Sequence, residues 1–254
     1  MDILSNIENG VLTIEFNRPD KKNAMTTAMY KTMTGILKEA QENSAVRVIL
    51  FQGKPNIFTA GLDLEDFKNG PPMTADSPVF EFLNELSTAK KPVIAAVTGG
   101  AIGLGTTLLL HCDLVYVGDN AKFGLPFVHL GVVPEAGSSY LLPMIAGHQR
   151  ASEMLLFGET FGPQKALEAG IVTQVFPAAE TLEAAKKHAE KLAALPSTSI
   201  QMTKALLKRE HQKKVADQMQ VESMHFRAML LEPASIEAFS AFAEKRKPDF
   251  SKLV

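Results

Sequence analysis

Residues 92–111 read Pro-Val-Ile-Ala-Ala-Val-Thr-Gly-Gly-Ala-Ile-Gly-Leu-Gly-Thr-Thr-Leu-Leu-Leu-His. Pro92–Thr98 is almost entirely apolar and rich in β-branched residues, which predicts a buried strand. Gly103–His111 predicts a short apolar helix directly after a glycine-containing turn. A buried strand followed by a tight turn and a helix is typical of an α/β domain whose strands pair mainly in parallel.

The same alternation of strands and helices extends outward from this stretch. Further strands are predicted at Val11–Phe16, Val46–Phe51, Asp113–Val117 and Ile171–Phe176, and further helices at Met25–Asn43 and Pro78–Lys91. Strand patterns then disappear, and the remaining predicted helices are Ala178–Leu195, Ser197–Arg209, His211–Glu232 and Ser235–Lys245. We predict an α/β core over residues 1–195 and a helical region over residues 196–254 that packs on the core or on a neighbouring chain.

Composition excludes several classes of protein. The 254 residues carry a net charge of −2, so nothing favours a nucleic-acid binder, and no apolar run is long enough for a membrane span. The single cysteine, Cys112, excludes an intrachain disulfide and a cysteine-cluster metal site. No residues have metal-ligand spacing, so we predict no metal. With the acidic start at Met1–Ser5, these features favour a cytoplasmic protein.

Two glycine-containing turns deserve comparison, namely Phe58–Leu64 and Gly99–Gly105. Each is expected at a strand-to-helix turn, where backbone N–H groups point outward without a partner. Two such turns side by side would direct two N–H groups at one substrate oxygen, which is an oxyanion-hole geometry. Taken alone, each turn favours a simple tight connection over an oxyanion site.

Three other sites are disfavoured by the residues around these turns. The second turn does not match the dinucleotide fingerprint, because Leu108 occupies the position that requires Gly or Ala. The Gly-Lys-Ser/Thr of a P-loop is absent. The Gly-x-Ser-x-Gly elbow of serine hydrolases is also absent.

Glu135 is the one formally charged residue between Phe123 and Gln149. A carboxylate among apolar residues is either exposed at a turn or buried for a purpose. Burial would raise its pKa into the range of a general base. Pro134 followed by Glu135 is also an ordinary helix start, so a structural and a catalytic interpretation both stay open from local sequence.

A set of ordered motifs runs along nearly the whole chain. They are Asn17–Pro19, Lys22–Met25, Phe58–Leu64, Lys91–Val97, Cys112–Tyr116, Ala121–Gly124, Leu130–Pro134 and Ala238–Pro248. In this order and spacing the sequence resembles the crotonase (enoyl-CoA hydratase/isomerase) superfamily. The resemblance implies a crotonase-like spiral of β-β-α units followed by a C-terminal helical trimerisation region.

The resemblance also implies a substrate and a set of site residues. The substrate would be an acyl-CoA thioester, with no cofactor beyond that coenzyme A, and the chain would form a homotrimer or hexamer. The N–H groups of Leu62 and Leu104 would polarise the thioester carbonyl. The implied substrate-binding residues are Lys22, Ala24, Ala60, Gly61, Asp63, Leu64, Gly103, Thr107, Phe127 and Lys245. The lysines of 204–214 and 244–247 are better explained as solvated helix faces than as phosphate contacts.

The departures from the family pattern indicate which reaction is catalysed. Hydratases of this superfamily use two glutamates, whereas the corresponding positions here hold Thr107 and Phe127. Residues 126–139 resemble the motif of Δ3,Δ2-enoyl-CoA isomerases of the peroxisomal type, in which Glu135 would act as acid and base. The alternatives are another crotonase-type isomerase or weak hydratase, or a non-catalytic acyl-CoA-binding module.

Overall fold

The computed structural model describes residues 1–69, 73–251 and 253. The strands within these ranges are β1 (Ile3–Glu8), β2 (Val11–Phe16), β3 (Val48–Gln52), β4 (Ile57–Thr59), β5 (Val93–Val97), β6 (Gly100–Ile102), β7 (Leu114–Gly118), β8 (Lys122–Gly124), β9 (Thr160–Phe161) and β10 (Gln174–Phe176). Short 3-10 helices lie at Pro19–Lys21, Leu108–His111 and Val128–Leu130.

The α-helices alternate with these strands and then dominate the C-terminal part of the chain. They are α1 (Thr27–Glu42), α2 (Leu64–Asn69), α3 (Pro78–Thr88), α4 (Leu104–Thr107), α5 (Ser138–Ala146), α6 (His148–Phe157), α7 (Pro163–Glu168), α8 (Thr181–Ala193), α9 (Ser197–Lys208), α10 (Gln212–Met229) and α11 (Pro233–Ala243).

The strands form two sheets. The larger has the order β1-β2-β3-β5-β7-β10, and only its β1–β2 pair is antiparallel among the described strands. The smaller has the order β4-β6-β8-β9, with β9 antiparallel to β8 and the other pairs parallel. The predicted, largely parallel pairing is therefore confirmed. Parallel neighbours require crossover connections, which the intervening helices provide.

Strands β3, β5 and β7 are each followed by a short strand of the smaller sheet and then by helical structure. This repeated β-β-α unit is the predicted fold class, which the structure confirms. It also decides where the two glycine turns lie. Strands β4 and β6 pair in parallel, with Ile57 opposite Gly100, so the turns that follow them emerge at the same edge of the smaller sheet.

The central strands of the larger sheet, β3 and β5, are buried on both faces. In β3, Ile49 and Phe51 face the core that includes α1 and α3, whereas Val48 and Leu50 face α8. Helix α8 presents its buried alanines, Ala185, Ala189 and Ala193, to that second face. Strands covered on both sides have no polar alternation, which explains why their sequences read as continuous apolar runs.

Most predicted elements lie where expected, with shifted boundaries. The four C-terminal helices agree within three residues at each end. The predicted strand over 171–176 is shorter, since only Gln174–Phe176 is extended, and the predicted helix over 103–111 changes to 3-10 geometry at Leu108. Strand β1 was not predicted because Ile3 is its one buried residue, which leaves no apolar alternation to detect.

The C-terminal helices contact the core of the same chain. Helix α10 packs on α3 and α5, and α11 packs on the 3-10 helix Val128–Leu130. Across the ranges that the structure covers, no helix combines the length and apolar character that a bilayer crossing requires.

Candidate active site

A cavity of about 650 Å³ lies at the edge of the smaller sheet where the two glycine turns emerge. Its wall is mainly apolar and includes residues from both turns, from α1, α3, α10 and α11, and from the loop before α5. The wall includes the exposed side chains of Lys21, Lys22 and Glu65 and the buried residues Tyr30 and Glu135. This volume is typical of a small-molecule site.

The two turns lie against each other through Gly61. Its φ of +85° is in the left-handed region, and a Cβ there would come 2.5 Å from the Ile102 carbonyl oxygen and 3.6 Å from the Leu104 nitrogen. Only glycine allows both this φ and this approach. The sequence hypothesis that the turns are neighbours therefore agrees with the structure.

Leu62 and Leu104 both border the cavity. Leu62 forms a parallel bridge with Met25 in which the bonds are made by the Gly61 carbonyl and the Asp63 N–H, so the Leu62 N–H points away from Met25. Leu104 is the first residue of α4, where a helix leaves its N–H groups without intrahelical partners. Among the described residues neither amide has a backbone acceptor.

Glu135 lies in a loop that precedes α5 and is not part of a helix. Residues 132–135 have no regular structure, and α5 begins at Ser138. The interpretation of Pro134 and Glu135 as a helix start is therefore wrong. The loop contains Ala136 and Gly137 at φ values of +61° and +70°, and the positive φ of a non-glycine residue is a strained geometry that its surroundings must maintain.

Glu135 is 6% exposed. Its Oε1 accepts a hydrogen bond from the Thr107 hydroxyl, and its Oε2 has no hydrogen-bond partner among the described residues. Burial raises the pKa of Glu135 to about 8; the Thr107 hydrogen bond opposes this shift, and the Glu222 charge adds to it. A pKa in this range makes both protonation states accessible near neutral pH.

Thr107 was predicted to contact substrate, but the structure places it elsewhere. It is fully buried, does not border the cavity, and holds the Glu135 carboxyl from behind. Phe127, by contrast, is a buried part of the cavity wall. Thr107 and Phe127 stand at the positions that correspond to the two glutamates of hydratases. Here Thr107 donates a hydrogen bond to Glu135, and Phe127 adds an aromatic surface to the cavity wall.

A buried carboxylate that sequence analysis missed supports the loop. Glu222 of α10 is 4% exposed and accepts hydrogen bonds from the Gly137 N–H (2.6 Å), the Ser139 N–H (2.9 Å) and the Ser139 hydroxyl (2.5 Å). It caps the start of α5, and burial raises the pKa of its carboxyl. The signal was available, since Glu222 stands on the apolar stripe of α10 between Met219 and Phe226.

His111, the last residue of the 3-10 helix that follows α4, also supports this loop. Its Nε2 lies 2.7 Å from the Ala136 carbonyl oxygen, which requires a hydrogen on Nε2 because a carbonyl can only accept. Burial lowers the pKa of His111 to about 4, so the ring stays neutral. In the described parts of the chain, no three His, Cys, Asp or Glu side chains come close enough to hold a metal ion.

Only some of the residues predicted to bind the substrate lie together at the cavity. Lys22, Ala24, Ala60, Leu64 and Gly103 border the cavity. Asp63 also borders it, but its carboxylate is engaged by Arg18 at 2.5 Å and by the N–H groups of Glu65 and Asp66. Burial opposes ionisation of Asp63, yet these hydrogen bonds outweigh it and hold its pKa below the usual value. Lys245 is exposed and is not part of the cavity wall in this chain.

Five aromatic residues of the wall were not predicted as site residues. Tyr30 comes from α1, Phe80 from α3, Phe226 from α10, and Phe239 and Phe242 from α11. The Phe239 ring stacks on Phe67 of α2 with centroids 5.6 Å apart. The C-terminal helices therefore supply part of the cavity wall within one chain, which no local pattern predicts.

The arrangement combines parts that suit proton transfer next to a carbonyl group. The two turns that border the cavity carry amides without a backbone acceptor, and Glu135, whose carboxyl has one unpartnered oxygen, belongs to the mainly apolar wall. Of the other acids in the described wall, Asp63 is paired with Arg18 and Glu65 is exposed. Such a site can take a proton from a bound molecule and stabilise the resulting oxyanion.

Comparison with known proteins agrees with this chemistry. Residues 6–252 match the family described as enoyl-CoA hydratase/isomerase. The chain is 36% identical over 252 residues to enoyl-CoA delta isomerase 2 of Rattus norvegicus, covering 97% of this chain and 64% of that protein. It is 33% identical over 250 residues to 2,3-dehydroadipyl-CoA hydratase of Escherichia coli K12, covering 98% of each.

Solved structures are similar as well. The structure of Pseudomonas aeruginosa OdaA superimposes with a TM-score of 0.92 at 43% identity, covering 95% of this chain and 98% of that one. The chain thus spans less than two thirds of the rat relative but nearly all of the bacterial ones. The relatives' names include both isomerases and hydratases.

Proposed function

Because the chain belongs to the enoyl-CoA hydratase/isomerase family, we propose that it moves the double bond of 3-enoyl-CoA thioesters to the 2 position. In this proposal Glu135 is the single acid and base, and the N–H groups of Leu62 and Leu104 bind the thioester oxygen. Lys22, Ala24 and Ala60 would contact the coenzyme A portion, while Leu64, Phe127 and Phe226 would surround the acyl chain.

The proposed reaction needs one proton removed and one returned. Glu135 takes a proton from C2, and the electron pair left behind spreads over the thioester oxygen and the adjacent double bond. The same carboxyl then delivers a proton to C4, which leaves the double bond between C2 and C3. One base serves both steps if it lies over one face of the acyl chain. The two amides would stabilise the negative oxygen between the steps.

The observation that carries this proposal is the hydrogen bonding and burial of the Glu135 carboxyl. One oxygen is held by Thr107 and the other is buried and unpartnered among the described residues, and Glu135 borders the mainly apolar cavity that the two turns also border. Hydration needs a second group to activate water, but of the other acids in the described wall Asp63 is paired with Arg18 and Glu65 is exposed. Phe127 occupies the position at which a hydratase would carry its second glutamate. Glu222 is a second buried carboxylate, but it faces the loop and does not border the cavity.

The proposal is tested by measuring products from two substrates with the purified protein. We expect 3-enoyl-CoA to be converted to 2-enoyl-CoA at least about 10²-fold faster than 2-enoyl-CoA is hydrated, since the site lacks one of two acid–base groups. Chromatography of the thioesters distinguishes 2-enoyl from 3-hydroxyacyl products. If hydration is the faster reaction, the proposal is wrong and the protein is a hydratase.

The pH dependence gives a separate prediction. Burial raises the pKa of Glu135 to about 8, and only the ionised carboxylate can take the C2 proton. We therefore expect kcat/KM for isomerisation to rise with pH through an inflection near 8 and then to level off. Initial rates between pH 6 and pH 10 measure this profile.

The control for that profile is Glu222→Gln. The Glu222 charge contributes to the raised pKa of Glu135, so its removal is expected to move the inflection to lower pH. The amide keeps one acceptor for the Gly137 and Ser139 N–H groups, so partial support of the loop remains. An inflection below pH 6 in the unmodified protein would contradict the assignment of the base to a buried carboxyl.

A further inference from the structure

Thr59 contacts both glycine turns. It is the last residue of β4, is fully buried, and is not part of the described cavity wall. Its hydroxyl accepts a hydrogen bond from the Gly61 N–H at 3.0 Å and donates one to the Asn23 carbonyl oxygen at 2.6 Å. The Thr59 hydroxyl therefore joins the first turn to a segment that lies much earlier in the chain.

The methyl group of Thr59 packs against the second turn. A Cβ on Gly105 would come 2.7 Å from the Thr59 Cγ2 and 3.0 Å from the Thr59 carbonyl oxygen. A threonine side chain is stiff at χ1, and in a close-packed interior it cannot change rotamer without displacing a neighbour. The contact with Gly105 therefore keeps the Thr59 hydroxyl directed at the first turn.

The segment that accepts this hydroxyl also holds the peptide that carries the Leu62 N–H. The Met25 N–H donates to the Gly61 carbonyl oxygen at 2.7 Å, and the peptide between Gly61 and Leu62 is trans. In a trans peptide the N–H points away from the C=O, so this hydrogen bond fixes the direction of the Leu62 N–H. The Asn23 carboxamide adds a second link, since it donates to the Phe58 carbonyl oxygen of β4 at 2.9 Å.

We propose that Thr59 is a positioning residue of the oxyanion site, whose hydroxyl keeps the Leu62 N–H directed at the thioester oxygen of a bound acyl-CoA. Thr59 touches no reacting atom and acts through Gly61 and Asn23. Oxyanion donors are effective because they are oriented before the reaction, so a small misplacement removes much of their effect. A threonine that serves only packing would affect stability without changing the bound carbonyl. The inference rests on the proposed function of this site.

The first test observes the bound carbonyl directly and needs no turnover. Infrared difference spectra are recorded with a saturated acyl-CoA that carries ¹³C at the thioester carbonyl, because hydrogen bonds to the oxygen lower the stretching frequency of the C=O bond. We expect a downshift on binding to the unmodified protein, and about half of it or less in Thr59→Val, since one of the two donors is displaced. Thr59→Ser keeps the hydroxyl and is expected to restore the downshift.

Turnover provides the second readout. The two amides bind the negative oxygen between the steps more strongly than the neutral thioester, so their displacement affects kcat more than KM. For isomerisation of 3-enoyl-CoA we expect Thr59→Val to lower kcat about 10–10²-fold, with KM within about threefold of normal. Thr59→Ser should keep kcat within about threefold of normal, because a serine hydroxyl can make the same two hydrogen bonds.

Thr181→Val is the matched control. Thr181 is also fully buried, and its hydroxyl donates to the Pro177 carbonyl oxygen at 3.1 Å at the start of α8. Helix α8 covers the face of the larger sheet that is opposite to α1 and α3. We expect a full carbonyl downshift and normal kcat in this variant. Losses similar to those of Thr59→Val would show a general effect of removing a buried hydroxyl and would overturn the inference.

Thermal unfolding shows which variants are folded. If Thr59→Val does not fold, Thr59→Ala makes the same comparison, since it removes the hydroxyl without placing a second methyl group beside the Gly61 N–H. A full downshift in the folded variant that lacks the hydroxyl would overturn the inference, whatever its kcat. The absence of a downshift in the unmodified protein would also overturn it.

The two readouts separate this inference from the proposed function. A downshift that depends on the Thr59 hydroxyl, without any isomerisation, would contradict the proposed function and leave this inference standing. Isomerisation by the unmodified protein, with a downshift that is the same in every Thr59 variant, would support the proposed function and overturn this inference.

Discussion

Glu135→Gln is expected to lower kcat for double-bond migration by about 10³-fold or more, with little change in acyl-CoA affinity. The amide has nearly the shape of the carboxyl and can still accept the Thr107 hydrogen bond, but it cannot take or return a proton. Stopped-time assays with 3-enoyl-CoA measure the loss, and calorimetry with a saturated acyl-CoA measures affinity. A variant with more than about a tenth of normal kcat would remove Glu135 from the mechanism.

The pH dependence of the free energy of unfolding shows whether Glu135→Gln folds. Burial raises the pKa of Glu135 from 4.5 to about 8, so the folded protein binds a proton that the unfolded chain releases. The stabilising contribution of the protonated group is complete below about pH 4.5 and is lost as pH rises through 8. Replacement by glutamine removes that loss, so Glu135→Gln should be more stable than the unmodified protein at pH 9.

Glu65→Gln is the matched control for the same change at another cavity acid. Glu65 borders the cavity but is exposed and is 3.5 Å from Lys21 in a surface ion pair. Exposed pairs of this kind contribute about 0–1 kcal/mol. We therefore expect near-normal kcat in Glu65→Gln, and a loss similar to that of Glu135→Gln would point to a general electrostatic effect.

Gly61→Ala is expected to reduce kcat/KM by about 10²–10³-fold, the typical effect of losing one oxyanion donor. A Cβ at this position would lie 2.5 Å from the Ile102 carbonyl oxygen, and the backbone φ of +85° is unfavourable for alanine. The two turns must separate to relieve this contact, which moves the Leu62 and Leu104 amides apart. The strain should also cost on the order of 1–3 kcal/mol of stability.

Gly35→Ala is the control, because the same substitution there meets no obstacle. Gly35 is exposed in α1 and has no atom within 4 Å of a built Cβ. We expect normal kinetics and a gain of about 0.5–1 kcal/mol in the free energy of unfolding, since alanine favours a helix over glycine. Normal kinetics in Gly61→Ala, at unchanged stability, would mean that the turns do not form the oxyanion site.

Local features of the sequence were sufficient to predict the fold class and, within the site, the two glycine turns and Glu135. The apolar runs that become β3, β5 and β7 predict buried strands, and the alternation with helices predicts parallel pairing. The glycine turns at Gly61 and Gly103 and the isolated Glu135 were recognisable because each departs from its surroundings within a few residues. Strands β4, β6 and β8 were missed since three residues are too few to show a period.

The protonation chemistry of the site was decided only by the tertiary structure. The sequence left Glu135 either as a helix start or as a base, and the choice depends on partners far along the chain. Thr107 lies 28 residues before it, and the Glu222 contact to Gly137 spans 85 residues. Burial, hydrogen bonding and the exclusion of water depend on which side chains meet in space. Periodicity and turn chemistry depend on residues that are close in the chain. They therefore predict helices, strands and turns, but not contacts between residues that are far apart in the sequence.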